Sequence, residues 1–223
     1  RLHLRRYRMQ SKVILSTTAL LIVLPATLFF LTDFAALPTG ERVLASLFQA
    51  VTPRTAGYNT ADLTKMGDTS QAVTILLMLT GGAPGSTAGG IKVTTLAVLA
   101  ANAAAVFHRR EEPQLFGRRL ENSAVKNAAA ILLLYLGLTF AGAAVISAAE
   151  GLPLGVCLYE TASAAGTVGL TLGLTPQLGT LSQAVLILLM FFGRVGGLTL
   201  IYAAFSGHDL TYARYPKEMI TVG

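Results

Sequence analysis

Apolar and polar positions fall in long blocks along this chain rather than in short alternating periods. Val13 to Leu31 carries no charge. At about 1.5 Å of rise per residue, a helix over that stretch nearly crosses a hydrocarbon core of about 30 Å. Pro25 inside it is tolerable in a membrane helix and predicts a kink. A second apolar run extends from Gln71 to Phe107, too long for one straight span. Gly81-Gly82-Ala83-Pro84-Gly85-Ser86-Thr87-Ala88-Gly89-Gly90 interrupts it. Asn127 to Ala149 is a third uncharged stretch, and Leu181 to Phe205 is a fourth, with Arg194 as its lone charge. Two other segments, Arg42 to Thr52 and Leu154 to Ala164, are too short to span. Each lies between two long stretches and precedes a glycine-containing turn. That is the profile of a re-entrant helix, although hydropathy alone also allows an outer-surface loop.

Comparison of the chain with itself reveals a repeat. Ser70-Gln71-Ala72-Val73 recurs 112 residues later as Ser182-Gln183-Ala184-Val185, and Ile75-Leu76-Leu77-Met78 recurs as Ile187-Leu188-Leu189-Met190. Gly81, Gly85 and Thr87 align with Gly193, Gly197 and Thr199; upstream, Thr55 and Gly57 align with Thr167 and Gly169. The predicted organisation is two copies of span, short helix, glycine turn and span. Each copy crosses an even number of times, so the copies are parallel, about an axis along the membrane normal; inverted repeats need an odd number.

Composition agrees with the pattern. Hydrophobic residues make up 53% of the 223 and charged residues 13%, and mean hydropathy is +0.61. This excludes a disordered chain and an ordinary water-soluble enzyme, for which about 25% charge is usual. One cysteine excludes a disulfide framework or a Cys-rich metal site. The formal charge of +6 is unevenly spread. Arg1, Arg5, Arg6, Arg8 and Lys12 precede the first stretch; Arg109, Arg110, Arg118, Arg119 and Lys126 separate the second from the third; Arg214 and Lys217 follow the fourth. The opposite loops hold Arg42 and Lys65 with Asp33, Glu41, Asp62, Asp68 and Glu150. Positive-inside asymmetry then predicts a multi-pass protein with both termini and the central loop in the cytoplasm. The same asymmetry explains the basic runs better than nucleic-acid binding does. No small-residue cleavage site follows the first stretch, so it is read as a span and not a leader. Arg1 in place of Met predicts a chain that begins inside a longer polypeptide.

The turns carry the chemistry. They read Thr55-Ala56-Gly57-Tyr58-Asn59-Thr60 and Thr167-Val168-Gly169-Leu170-Thr171-Leu172-Gly173. Irregular backbone at membrane depth must be buried or line a watery cavity, because lipid cannot satisfy its amides. Glycine lets successive carbonyls point one way. Equivalent turns around one axis would form a ring of carbonyls able to replace the hydration shell of a cation. The hydroxyls of Thr55 and Thr167 could add a lower layer of oxygens.

TPRTAGYNT followed by GGAPGSTAGGIKVTT, then SAAGTVGLTLG followed by FFGRVGGLT, resembles the Trk/Ktr/HKT superfamily of potassium transporters, most closely its KtrB-type membrane subunits. The ending YPKEMITVG resembles the C-terminal tail of the same subunits, so the likeness covers nearly the whole chain. The resemblance implies an all-α membrane protein made of M1-P-M2 repeats (helix, re-entrant pore helix with filter loop, helix), four in a whole pore. Here residues 1–110 match the third repeat and 127–206 the fourth, joined by a cytoplasmic linker at 111–126 and followed by a cytoplasmic tail at 207–223. The implied function is potassium uptake across the plasma membrane through a selective pore. Sodium dependence is left open, and catalysis is not implied. The implied potassium filter is backbone at Thr55, Ala56, Gly57, Tyr58 and Asn59 and at Thr167, Val168, Gly169 and Leu170. Only potassium at those carbonyls is expected as a metal. An intramembrane gating loop falls on Gly81, Gly82, Gly85, Ser86, Thr87, Gly89, Gly90 and Lys92, and a pore arginine on Arg194. A homodimer above a cytosolic, nucleotide-binding regulatory ring is implied, with ATP or ADP acting only through that partner and no covalent cofactor. Tyr58 stands where the family usually has Phe.

Each of these readings has a plainer competitor. Gly85 to Gly90 nearly imitates a phosphate-binding loop, but Ile91 displaces Lys92 by one position and no strand precedes it. Gly81 to Gly90 can also be a helix break packed by small residues. Arg194 faces a cavity or snorkels to the interface, and Lys92 has the same ambiguity. Arg54 and Glu160 are expected to brace the turns by hydrogen bonds. His3, His108 and His208 lie in cytoplasmic segments, and Cys157 is read as a packing residue. An intramembrane hydrolase lacks its motifs here, with neither H-E-x-x-H nor G-x-S-x-G. A non-transporting scaffold explains the hydrophobicity but not two matched turns.

Overall fold

The computed structural model describes residues 7–196 and Thr199. Expectations that fall on Arg1, His3, Arg5, Arg6, Gly197, His208, Arg214, Lys217 and the tail at 207–223 lie outside the described residues. Helix α1 spans Met9–Leu31 without interruption at Pro25. The short α2, Thr39–Val51, packs against it. Helices α3, Asp68–Leu79, and α4, Val93–Phe107, are the two halves of the second apolar run, parted by the glycine-rich segment. After a small hairpin of β1, Gln114–Leu115, and β2, Arg118–Arg119, comes the long α5, Asn122–Glu150. Helix α6, Leu154–Ala165, is short again, and α7 covers Thr180–Val195.

Helices α1 and α5 are long and apolar enough to cross a membrane. Both start upstream of their uncharged stretches, because Lys12 and Lys126 continue the helix as its polar end. Their outward faces are apolar, with Leu20, Val23, Leu24 and Leu133 all exposed. A contiguous exposed surface of this kind suits lipid or another protein surface, not water.

The core is built around α6, whose residues from Tyr159 to Ala165 are all buried. On one side Tyr159, Ala162 and Ala165 join Phe29 of α1, Ala50 of α2 and Leu77, Met78 and Leu79 of α3. On the other, Cys157 and Ala164 join Ala143 and Ile146 of α5 and Leu186 and Leu189 of α7. Cys157 is thus the packing residue expected, free and fully buried. Close approach is made by small residues. A Cβ on Gly142 would press on the Leu189 side chain at 2.8 Å.

The 112-residue repeat extends beyond the matching letters. Short 3-10 turns at Leu63–Lys65 and Thr175–Gln177 occupy equivalent positions. Gln71 Nε2 donates to Met66 O at 3.1 Å, and Gln183 Nε2 to Leu178 O at 3.0 Å. Helices α3 and α7 both begin after a glycine with no side-chain cap of its own. A carboxylate at or just past the end of the preceding long helix takes that role. Asp33 Oδ1 accepts from Gly67 N at 3.0 Å, while its Oδ2 accepts from the Ser70 hydroxyl. Glu150 Oε1 accepts from Gly179 N at 2.8 Å and Ser182 Oγ at 2.6 Å. Such anions satisfy the unpaired N–H groups and the positive end of the helix dipole.

Two expectations need correction. The fourth stretch is not one continuous helix, since α7 stops at Val195 and Gly196 turns out with φ of 91°. The all-α expectation becomes a mostly helical fold, because the linker at 111–126 carries the β1–β2 hairpin, turned by Phe116 (φ 49°) and Gly117 (φ 74°).

Candidate functional site

Both glycine turns leave the end of a short helix and sit side by side. In the first, Gly57 N and Ala56 N both donate to Thr52 O, at 3.0 and 3.1 Å. In the second, Val168 N donates to Ser163 O at 2.9 Å and Gly169 N to Ser163 Oγ at 3.1 Å. The backbone repeats too: Thr55 and Thr167 have φ of 69° and 53°, and Gly57 and Gly169 have 75° and 93°. Positive φ is ordinary for glycine but a strained outlier for a β-branched residue. Strain at matched positions persists only where surrounding structure imposes it, and it marks functional sites. The two turns touch: a Cβ on Gly57 would overlap the Val168 carbonyl oxygen and lie 3.2 Å from its carbon.

Carbonyls are the available chemistry. Among the described residues no hydrogen bond ends on the carbonyl oxygens of Thr55, Ala56, Gly57, Thr167, Val168 or Gly169. Tyr58 differs, as its carbonyl accepts from the Thr52 hydroxyl while its ring is exposed. Asn59 Oδ1 accepts from Ala61 N at 3.2 Å, closing its own turn. Thr55 Oγ1 donates to Gly166 O at 3.4 Å, and Thr167 Oγ1 is buried without a hydrogen-bond partner among the described residues. Leu170 is buried in the core beside Val168.

Glu160, buried on α6, braces the second turn as expected. Its Oε1 accepts from Thr171 Oγ1 at 2.6 Å and Leu172 N at 2.9 Å, and its Oε2 from Thr175 Oγ1 at 2.6 Å. Arg54 does not brace its own turn. Its Nη2 reaches across to Gly81 O at 3.3 Å, on the glycine-rich segment.

That segment is a loop pinched at its base. Gly81 N donates to Ile91 O and Ile91 N to Leu79 O, each at 2.8 Å, and Val93 N donates to Gly82 O at 3.1 Å. Gly81, Gly89 and Gly90 are buried, whereas Gly85, Ser86 and Thr87 are exposed at the tip. One arm presses on the second turn: a Cβ on Gly89 would collide with the Thr167 side chain and come within 3.0 Å of Gly166 O. Three cations clasp the loop carbonyls. Besides Arg54, Lys92 Nζ donates to Ala88 O, with Ser86 O at 3.5 Å, and Arg194 Nη1 donates to Thr87 O at 2.7 Å. Arg194 lies in the last turn of α7. The structure thus brings the loop, Lys92, Arg194 and the Thr167 turn together, whereas sequence reasoning missed the strained threonines and the reach of Arg54.

Residues 6–209 match the TrkH family of cation transport proteins. The chain belongs to the TrkH cation transport family. It is 37% identical over 230 residues to the potassium/sodium uptake protein NtpJ of Enterococcus hirae, covering 98% of this chain and 51% of that one. It is 33% identical over 225 residues to the Ktr system potassium uptake protein B of Bacillus subtilis, covering 98% of this chain and 50% of the relative. The chain therefore spans about half the length of these relatives. The crystal structure of the potassium transporter TrkH from Vibrio parahaemolyticus superimposes with a TM-score of 0.70 at 22% identity, over 87% of this chain and 43% of that one. The TrkH fold of this chain is thus mostly helical and of the membrane-transporter type.

Proposed function

We propose that this chain forms half of a potassium-selective pore in the plasma membrane, with Thr55 to Asn59 and Thr167 to Leu170 as two of its four filter segments. The observation that carries the reading is the pair of abutting turns with the same strained backbone and six carbonyls that accept no hydrogen bond among the described residues. Carbonyl oxygens so disposed replace a cation's water without a fixed negative charge. Tyr58 contributes through backbone position only, because Thr52 already engages its carbonyl. In this reading α1–α2–α3/α4 and α5–α6–α7 are the third and fourth M1-P-M2 repeats of the whole protein. The names of the relatives support potassium as cargo, with sodium as co-ion or competitor.

The loop at 81–90 is the gate in this reading. Its arm at Gly89 lies against the Thr167 turn, and Arg54, Lys92 and Arg194 hold its carbonyls. Arg118 and Arg119 of the hairpin share one end of the molecule with Arg8 and Lys12 at the start of α1, which supports cytoplasmic termini. A homodimer over a nucleotide-binding regulatory ring completes the reading, with ATP or ADP sensed by the ring.

The test is ion flux. The full-length protein that contains this chain, reconstituted in liposomes, should take up potassium in preference to sodium. The chain alone supplies two of four carbonyl sets and should give no selective uptake. Absence of selective flux from the folded full-length protein would refute the pore.

A further inference from the structure

A cavity of about 710 Å³ opens between the start of α1 and the β1–β2 hairpin, remote from the glycine turns. Its volume falls in the roughly 300–1,000 Å³ range of small-ligand sites. Four cationic side chains line it, Arg8, Lys12, Arg118 and Arg119, together with the aromatic rings of Tyr7 and Phe116. No acid is among the described lining residues, and Arg119 is joined to a carboxylate outside the lining, Glu112, at 2.9 Å. The cavity lies where α1 emerges from its uncharged stretch, which is the level of lipid headgroups if α1 spans.

The hairpin has an unusual tip. Phe116 and Gly117 both have positive φ, as a two-residue hairpin turn of the I′ kind demands. Asn, Asp or Gly is the ordinary occupant of the first position, and a bulky aromatic there is strained. The Phe116 ring is 54% exposed rather than packed. A strained, exposed aromatic beside two arginines gains nothing in water. It gains burial in an interface where rings favour the headgroup layer and guanidinium groups pair with phosphate.

We propose that this cavity binds the phosphate of an anionic phospholipid headgroup, with Arg8 and Arg118 as its principal partners and Phe116 inserted among the acyl chains. Basic pockets beside spans on the cytoplasmic side are suited to such headgroups. The proposal rests on the membrane reading above, and its test reads binding, so that a failure of ion flux leaves it standing.

The experiment follows the melting temperature of the full-length protein in neutral detergent during titration with dioleoylphosphatidylglycerol, dioleoylphosphatidylcholine or inorganic phosphate. Phosphatidylglycerol is expected to raise it saturably, and the other two are not. Arg8→Gln with Arg118→Gln should raise the half-saturating amount about tenfold or more. Arg109→Gln with Lys126→Gln removes the same charge from the same end, outside the cavity, and should behave as wild type. Phe116→Asn relieves the turn, so it should melt no lower without lipid yet need more phosphatidylglycerol. The proposal is overturned if phosphatidylglycerol has no effect on wild type, if both double variants weaken it equally, or if inorganic phosphate alone reproduces the shift.

Discussion

Gly57 and Gly169 occupy matched positions, yet alanine should not be equally harmful at the two. Both have positive φ, so either substitution incurs the left-handed penalty of about 1–2 kcal/mol. At Gly169 nothing lies within 4 Å of the added Cβ. At Gly57 the Cβ overlaps the Val168 carbonyl, and both partners are backbone, so no rotamer change relieves it. Overpacking of this kind adds about 1–3 kcal/mol. Gly57→Ala therefore costs about 2–5 kcal/mol in all, and relief must come from moving Val168 in the opposite turn. The assay is potassium against sodium uptake in liposomes by the full-length protein, with thermal melting as the folding control. We expect Gly57→Ala to lower the selectivity ratio at least about tenfold, the factor that 1.4 kcal/mol supplies, and Gly169→Ala to lower it less. If folded Gly169→Ala loses as much selectivity as Gly57→Ala, contact between the turns is irrelevant to selection and the reasoning fails.

Arg194→Gln removes the 2.7 Å bond to Thr87 O, so potassium flux at fixed gradient should rise; deletion within 83–88 should raise it further, and unaltered flux in both folded variants would reduce the loop to packing. Glu160→Gln keeps shape but replaces one of two acceptor oxygens with a donor and removes the charge, so at least one of the three donors loses its acceptor; it should lower stability by about 1.5–3 kcal/mol in thermal unfolding, more than the exposed Glu41→Gln. Glu150→Gln replaces the carboxylate that accepts from Gly179 N and Ser182 Oγ with a neutral amide, a weaker acceptor. Its melting temperature should fall below that of wild type, and an unchanged melting temperature would contradict the carboxylate cap.

Much of the architecture was readable as lengths of uncharged chain. Such blocks have one stable arrangement in hydrocarbon, and α1, α5 and the break before Val93 follow from them. The glycine turns were readable because the same letters recur at one spacing. The strain at Thr55 and Thr167 was not, since a threonine side chain gives no sign of positive φ; only its position two residues before a repeated glycine could have raised the question. The caps by Asp33 and Glu150 were hidden for another reason. The two acids differ in type and lie 34 and 29 residues from their glycine partners, so they break the register of the repeat. Nor could spacing reveal that Arg54 serves the loop at Gly81 and not its own turn, because that contact exists only once the chain has folded.

Those two caps also bear on the order of assembly. Asp33 is synthesised before Gly67 and Glu150 before Gly179, and each pair joins the chain at the end of a long helix to the N-cap of the next helix but one. Neither clasp can close until the whole intervening excursion, with its short helix and strained turn, has left the ribosome. Each excursion is then shut at its mouth like a purse. A carbonyl-lined turn in this fold is therefore completed from behind, by a helix that contributes no atom to it.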